Sequence, residues 1–482
     1  MLRAILTAGL AGFLATSSAS ANEPALQPHQ AREDLSALYT GLQQAHYDLY
    51  AQTPRAVFHQ RFAELNEAYD APVSRARLHR DFQRFTALAG HAHARIEGLN
   101  PGFFDYLDAG GRLLPVSFEV RAGEVVVTGA SEASGLAPGD RILSLNGQPN
   151  AVWLARLTRH IPAETPELAY SQLSQGAPYF IWLEFGAQDR FTLQVQRNGR
   201  RREVVVEAAG YEDTISAMGA ASGPDLSGRD ARMLSEEIAY LRPGRFSNTA
   251  AETQAEAYAP QSLAEHVAWV DESFETFIEA GATSLILDLR NNPGGSNAWS
   301  DPIVAWFADR PFQFASSFRV RVSEQAIAAN AARLEGRSPE EAGVSGQLAR
   351  LYADSEIGDV VTMPIDIVEP RTGRRFGGEV YALINAQSFS NAATTAALIQ
   401  DYGFGTVIGE PTTDMATTCA AMETFTLPHS GFEVAFPKAH IIRPSGREDL
   451  HPVTPDVELS GDQSDAGTDP LPSETFSIIQ TR

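Results

Sequence analysis

The sequence has almost no cysteine or lysine, and its acidic residues outnumber its basic ones. Cys419 is its only cysteine, so no intrachain disulfide can form. Lys438 is its only lysine, and 60 Asp and Glu against 37 Lys and Arg give a formal net charge of −23. Because nucleic acids and anionic membranes bind clustered basic residues, we expect neither as a partner.

Long apolar runs are also missing. After residue 21, no stretch reaches the roughly 18 uninterrupted apolar residues of a membrane helix, so we expect no stable membrane insertion. The first 21 residues have Arg3 near the start, then apolar and small residues, and Ala19-Ser20-Ala21 before Asn22. This pattern predicts a signal peptide over residues 1–21 and an exported protein, periplasmic or extracellular.

Several catalytic motifs do not occur in the sequence. Neither G-x-S-x-G nor H-E-x-x-H is found, which disfavours an α/β-hydrolase and a zinc metallopeptidase. Lys438 follows a proline and has Ala435 three residues before it, so it fits neither a P-loop nor an S-x-x-K motif. His91 and His93 form an H-x-H pair, but two ligands are too few to specify a metal. We therefore expect no metal and no cofactor.

A chain of 482 residues predicts more than one domain, and the hydrophobic periodicity changes along its length. Helical spacing near the start gives way to period two, with a hairpin signal at Asn198-Gly199. Continuous apolar strands at 284–289 and 380–384 then favour a buried parallel sheet. The predicted divisions of this α/β multidomain protein are a helical N-terminal region 22–105, a small β-rich domain 106–208, a linker 209–233, an α/β core 234–460 and a polar tail 461–482.

One segment of the β-rich domain is distinctive. SGLAPGDRILSLNGQP, residues 134–149, resembles the PDZ-like domain found in processing proteases. The resemblance implies that this domain docks an extended peptide, or its free C-terminus, by strand addition. It also points to Leu113, Leu114 and Pro115 as the turn that would hold the peptide carboxylate. The alternative is a generic small β domain.

Two further segments combine a buried strand with a turn suited to chemistry. LILDLRNNPGG, residues 285–295, ends in glycines that can present bare N–H groups to an oxyanion. INAQSFSNAATTAALIQDYGFGTVIGEPT, residues 384–412, ends its strand in a turn where Ser390 opens a helix. A nucleophile there gains from the helix dipole and from the following amide. The alternative for Ser390 is a simple helix N-cap.

Together these segments resemble the C-terminal processing, or tail-specific, serine peptidases, whose wider family includes the tricorn core protease. The resemblance implies a peptidase core of the ClpP/crotonase type with Ser390 as the nucleophile. The amides of Gly294 or Gly295 and of Asn391 would form the oxyanion hole. The resemblance implies a polypeptide substrate and an acyl-enzyme mechanism.

The sequence departs from this family at the general base. Members with a Ser–Lys dyad place a lysine where Met415 stands, and methionine cannot accept a proton. Lys438 lies 48 residues after Ser390, in a different strand region, and is a poor substitute. The tricorn-like branch instead uses an upstream histidine, and alignment on Arg95 gives His93 as this base, with His91 second. An unperturbed histidine titrates near about 6.5 and can act at neutral pH.

The tricorn-like arrangement also implies an acidic partner shortly before the closing VTPD segment. Counting back from Asp456 favours Asp449, whereas counting forward from Ser390 favours Glu448, and both stay candidates. A solvated surface carboxylate is the alternative for each. The sequence therefore predicts an exported serine endopeptidase, and two alternatives stand beside this prediction. One is an inactive homologue that binds peptides or ligands, and the other is a metal hydrolase using His91 and His93.

Overall fold

The computed structural model describes residues 24–219, 228–251, 254–337, 343–459, 471 and 473–480. The predicted signal peptide, residues 1–21, lies outside them, as does most of the predicted polar tail. The chain divides into two compact units. The first comprises Met1–Gly223, Val320–Val361 and Cys419–Ala439, and the second comprises Pro224–Arg319, Thr362–Thr418 and His440–Arg482.

The first unit begins with helices, as predicted. Leu35, Leu38 and Leu42 are fully buried along one face of the first helix, which accounts for the helical spacing of the sequence. Ser74 caps the third helix by accepting a hydrogen bond from the amide of Arg77. These helices are Pro28–Ala45, Arg55–Ala68, Arg75–Ala87 and Pro101–Asp108.

An antiparallel sheet follows in the first unit. Its hairpin turn has Asn198 at φ 50° and Gly199 at φ 78°, the positive angles that a two-residue turn requires. Trp153 and Phe180 are buried in the core beneath it. The strands are Val116–Arg121, Glu124–Ala130, Arg141–Leu145, Gln148–Pro149, Arg190–Arg197 and Arg200–Glu207, and the helices are Asn150–Leu157, Pro166–Gln175 and Ala177–Phe185.

The prediction of a linker over residues 209–233 is wrong for part of this segment. A helix occupies Tyr211–Gly219, and Tyr211 belongs to the buried core of the antiparallel sheet. Strand Asp230–Met233 already belongs to the parallel sheet of the second unit. The polar composition suggested a linker because only a few residues, such as Tyr211 and Ile215, reach the apolar core.

A further sheet lies mostly in the first unit. It carries Arg95–Ile96, which pairs antiparallel with Glu433–Ile442 and follows the turn that contains His93. Glu433–Ile442 is one continuous strand across Pro437. The other strands are Ser317–Arg321, Val360–Thr362 and Thr418–Thr426, and the accompanying helices are Glu324–Leu334 and Gly343–Ala353.

The second unit is built on a sheet that is parallel except at one edge. In the described residues its strands run in the order Val457–Glu458, Thr406–Gly409, Glu379–Ile384, Ser284–Asp288, Ile238–Arg242 and Asp230–Met233. Leu285 and Leu287 enter the core on one face, whereas Ile286 enters the core on the other. This confirms the predicted strand buried on both faces.

The helices of the second unit pack on this sheet and set the position of the site. Strands Ser284–Asp288 and Glu379–Ile384 are adjacent and parallel, with Asp288 opposite Leu383. Because carboxyl ends of parallel strands meet at one edge, the loops that follow them emerge together. The helices are Gln254–Ala257, Pro260–Glu279, Asn297–Val304 and Asn391–Tyr402.

The predicted polar tail includes a helix, Ser473–Gln480. Phe476 and Ile479 pack with Leu471 against the sheet face that carries Ile286. Within the described residues, no helix combines the length and the apolarity needed to cross a membrane.

Candidate active site

A buried ion pair fixes the turn after strand Ser284–Asp288. The Arg290 guanidinium donates to both carboxylate oxygens of Asp288, at 3.0 and 2.7 Å, and Tyr240 Oη donates to Oδ2 at 2.8 Å. Asp288 and Arg290 are 1% and 3% exposed. Both residues therefore hold the turn together and expose almost no surface.

The glycine turn itself offers one free amide, and it is not the amide of Gly294. That N–H donates to Asn292 Oδ1 at 2.8 Å, while Asn292 Nδ2 donates to the carbonyl of Gly244. Of the two glycines proposed for the oxyanion hole, Gly294 is therefore excluded as a donor. In the part of the chain that the structure describes, the N–H of Gly295 has no acceptor.

Ser390 stands between strand Glu379–Ile384 and helix Asn391–Tyr402 in a strained conformation. Its φ of 53° and ψ of −123° lie where residues with a Cβ are rare. Its side chain makes no capping hydrogen bond to the helix, so the N-cap alternative does not explain this serine. Such strain is typical of functional turns. Ser388, by contrast, is fully buried and donates to the carbonyl of Leu289 at 2.8 Å.

The two loops meet at Gly294 and Ser390. A Cβ placed on Gly294 would lie 2.7 Å from the Cβ of Ser390 and 2.6 Å from the backbone nitrogen of Asn391. Only glycine allows this approach. Asn391 opens the helix, so its N–H has no intrahelical acceptor, and its side chain donates to Ser300 Oγ at 2.9 Å. The second unit therefore brings together Ser390, the glycine turn and the Asn391 amide.

A carboxylate that was not predicted from the sequence contacts this turn. The backbone N–H of Ser390 donates to Asp414 Oδ2, and Asp414 is fully buried. Burial raises the pKa of Asp414 to about 6, while hydrogen bonds from the amides of Ser390 and Met415 lower it in part. Asp414 directly precedes Met415, the position of the missing lysine, and this adjacency was the one sign in the sequence that Asp414 could lie near Ser390.

Met415 itself is a core side chain. It is 1% exposed and forms an antiparallel bridge with Pro452. Lys438, the only lysine, is also buried, and it forms an ion pair in the first unit with Glu423, which also binds Arg333. Burial is the main cause that lowers the pKa of Lys438. Neither residue has the character of an accessible general base.

The two candidate acidic partners lie on the surface of the second unit. Glu448 pairs with Arg319 at 3.4 Å, and Asp449 pairs with Arg447 at 2.7 Å. Asp449 also lies 3.6 Å from His451. Hydrogen bonding to Arg447 lowers the pKa of Asp449, which keeps it ionised. Both residues are exposed, as the alternative of a solvated surface carboxylate expects, and each is paired with an arginine.

His93, the candidate base, belongs to the first unit and is 4% exposed. Its ring hydrogen bonds to the backbone of Cys419. Burial, followed by the charges of Arg95 and His91, lowers the pKa of His93 to about 3, below the ordinary histidine value of about 6.5. The ring of His91 lies 5.0 Å from that of His46. Among the described residues, no group of three or more His, Cys, Asp or Glu could hold a metal ion.

We expect the ring of His93 to stay neutral between pH 8 and pH 5, which NMR titration of its imidazole nitrogens can measure. His93→Gln identifies the signal. Because the folded-state pKa lies below the value of about 6.5 in an unfolded chain, protonation costs stability as pH falls from about 6.5 toward 3. His93→Gln should therefore lose less stability in that window. A titration midpoint near 6.5 would contradict this account.

The predicted carboxylate-binding turn is only partly available. Leu113 donates to the carbonyl of Ala209 at 2.8 Å and accepts from its amide at 2.9 Å. Pro115 has no N–H, and Leu113 and Leu114 are both buried. Leu113 and Pro115 are therefore excluded as amide donors to a peptide carboxylate, which leaves the amide of Leu114.

Comparison with known proteins places this geometry in a family. Residues 237–459 match the model of Peptidase family S41. A search of curated proteins finds no match. Mature CPAF has 16% identity and a TM-score of 0.61, over 90% of this chain and 93% of that chain. CPAF complexed with lactacystin has 16% identity and a TM-score of 0.60, over 90% of this chain and 94% of that chain.

Because the identity to CPAF is low, that similarity concerns the fold alone. The family match covers both segments that build the turn around Ser390. The strained serine and the glycine turn lie inside the matched residues. Residues 237–459 are a peptidase family S41 domain, and the chain is a serine-type peptidase.

Proposed function

We propose that the protein is an exported serine endopeptidase that hydrolyses polypeptides, including near their C-terminal tails, through an acyl-enzyme on Ser390. The observation that carries this proposal is the conformation of Ser390, which is strained without making a capping bond. The proposal of export is supported by the pattern of residues 1–21.

In the proposed reaction, Ser390 Oγ attacks the peptide carbonyl and His93 takes the hydroxyl proton. The amides of Gly295 and Asn391 would donate to the oxyanion, since neither has an acceptor among the described residues. As the C–N bond breaks, His93 returns the proton to the leaving amine. Water then attacks the ester with the same base, which releases the acid and restores Ser390.

The low pKa of His93 constrains this mechanism. A ring with a pKa of about 3 is neutral at pH 7 and can accept a proton, but it accepts one weakly. A nearby carboxylate would raise this pKa. We therefore keep Glu448 and Asp449 as candidates for the acidic partner. Each would have to exchange its arginine, Arg319 or Arg447, for the imidazole.

Residues 106–208 are proposed to act as a PDZ-like domain that recruits an extended chain. The supporting observation is the antiparallel sheet, whose outer strands are Val116–Arg121 and Arg200–Glu207. An outer strand can accept a peptide by strand addition. Ser174 Oγ accepts the amide of Val120 at 3.2 Å, so a peptide added along Val116–Arg121 would compete with that bond.

The proposed activity is tested by incubating the protein with an unfolded polypeptide and identifying the products by mass spectrometry. We expect internal cleavage that disappears in Ser390→Ala and persists in the presence of a chelator. No cleavage by the wild type would favour the inactive homologue, the alternative that is supported by Met415 at the position of the family's lysine. Loss of cleavage on chelation would favour the metal hydrolase.

A further inference from the structure

We propose that Asp414 is a positioning residue that holds the backbone of Ser390 in its strained conformation through the Ser390 N–H. This inference rests on the proposed role of Ser390 as nucleophile. The contact joins residues 24 positions apart, and Asp414 directly precedes Met415, which stands at the position of the absent lysine.

The direction of the contact fits this role. The N–Cα bond of Ser390 is the axis of its φ angle, so an acceptor on the N–H restrains the torsion that is unusual, 53°. A charge-assisted hydrogen bond stabilises the folded state by a free energy similar to the strain energy of one such residue. The carboxylate can therefore offset the strain, and the hydroxyl of Ser390 stays where the turn directs it.

The segment that carries Asp414 is anchored on both sides. Thr412 Oγ1 donates to the carbonyl of Asp414 at 2.6 Å and accepts the amide of Val453 at 2.9 Å. Thr413 Oγ1 donates to the carbonyl of Ala386, in the serine turn, at 2.7 Å. A fixed acceptor restrains its donor more than a mobile one does.

The incomplete hydrogen bonding of the buried Asp414 carboxylate argues against a purely structural role for this residue. Asp414 Oδ1 is buried and, among the described residues, accepts no hydrogen bond. Burial without full hydrogen bonding is costly, and such groups in native structures call for an explanation. Holding the amide of the nucleophile explains why a buried charge stands beside Ser390.

The test compares Asp414→Ala with Asp414→Asn. The asparagine keeps an oxygen acceptor for the Ser390 amide, and the alanine does not. We expect Asp414→Ala to lower kcat by about 10²-fold, as small displacements of reacting groups do, with KM little changed. Asp414→Asn should recover most of that loss. The second readout is the rate at which a fluorophosphonate labels Ser390, measured per folded molecule.

Two further variants separate positioning from stability. Asp401→Asn weakens a buried pair with Arg443 elsewhere in the second unit, and it should lower the melting temperature without changing the labelling rate per folded molecule. If Asp414→Ala does not fold, Thr413→Val, which loses the bond to Ala386, should slow labelling in the same direction.

The outcomes distinguish the two proposals. Slow labelling of Asp414→Ala with recovery in Asp414→Asn supports the positioning role. Equal labelling of the wild type and Asp414→Ala overturns it and leaves Ser390 as the nucleophile. Failure of the wild type to label at Ser390 overturns the proposed function itself.

Discussion

Ser390→Ala is expected to lower kcat for peptide cleavage by about 10⁶-fold, the size of loss that follows removal of a catalytic serine. The reason is that no acyl-enzyme can form without the hydroxyl. The assay is cleavage of an unfolded polypeptide at saturating concentration, with melting temperature as the control for folding. Residual activity within tenfold of the wild type would exclude Ser390 as nucleophile.

The strain at Ser390 adds a second expectation for this position. Alanine must keep the same φ of 53°, so Ser390→Ala should be about as stable as the wild type. Glycine removes strain of about 1–3 kcal/mol, but it also destabilises the folded state by up to about 1 kcal/mol because its unfolded chain has more conformational entropy. Ser390→Gly should therefore be inactive and more stable by about 1 kcal/mol in denaturant unfolding. A less stable glycine variant would show that the turn stores no strain.

Gly294→Ala is expected to cause a large loss of activity although it leaves Ser390 and His93 intact. Its Cβ would lie 2.6–2.7 Å from the Asn391 nitrogen, the Phe389 carbonyl oxygen and the Ser390 Cβ, so the serine turn must move. Displacing the nucleophile and an oxyanion donor together should cost about 10²–10³-fold in kcat/KM. Steady-state kinetics with a fluorogenic peptide measures this loss.

Gly281→Ala is the matched control for this prediction. Gly281 has φ 84° against 82° for Gly294, but no atom lies within 4 Å of the position that a Cβ at residue 281 would occupy. The control therefore adds the same backbone strain, about 1–2 kcal/mol, without the clash. We expect a modest loss of stability and unchanged kcat/KM. If both variants lose activity equally, strain and not the close approach explains the effect.

The parts of the molecule that the sequence predicted are those set by local pattern. Continuous apolar runs gave the strands at Ser284–Asp288 and Glu379–Ile384, because each alternates side chains into two cores. A serine in the short turn between a buried strand and a small-residue helix predicted the position of Ser390 at the start of that helix. The fold class followed from the order of these elements.

The parts that could not be predicted depend on contacts between distant segments. The bond of Asp414 to the Ser390 amide spans 24 residues and has no local signature. The amide of Gly294 is excluded as an oxyanion donor because it donates to Asn292 Oδ1, and this hydrogen bond exists only in the folded turn. The low pKa of His93 comes from burial, which sequence spacing does not give. The helix Tyr211–Gly219 reaches the core through few apolar residues.

The proposed activation of the Ser390 hydroxyl by His93 is tested most directly by mass-spectrometric mapping of a fluorophosphonate adduct. The adduct is mapped on the wild type and on His93→Ala, with both proteins confirmed as folded. The account predicts an adduct on Ser390 in the wild type and none above background in His93→Ala. An adduct on another residue, or equal labelling of Ser390 in both proteins, would contradict it.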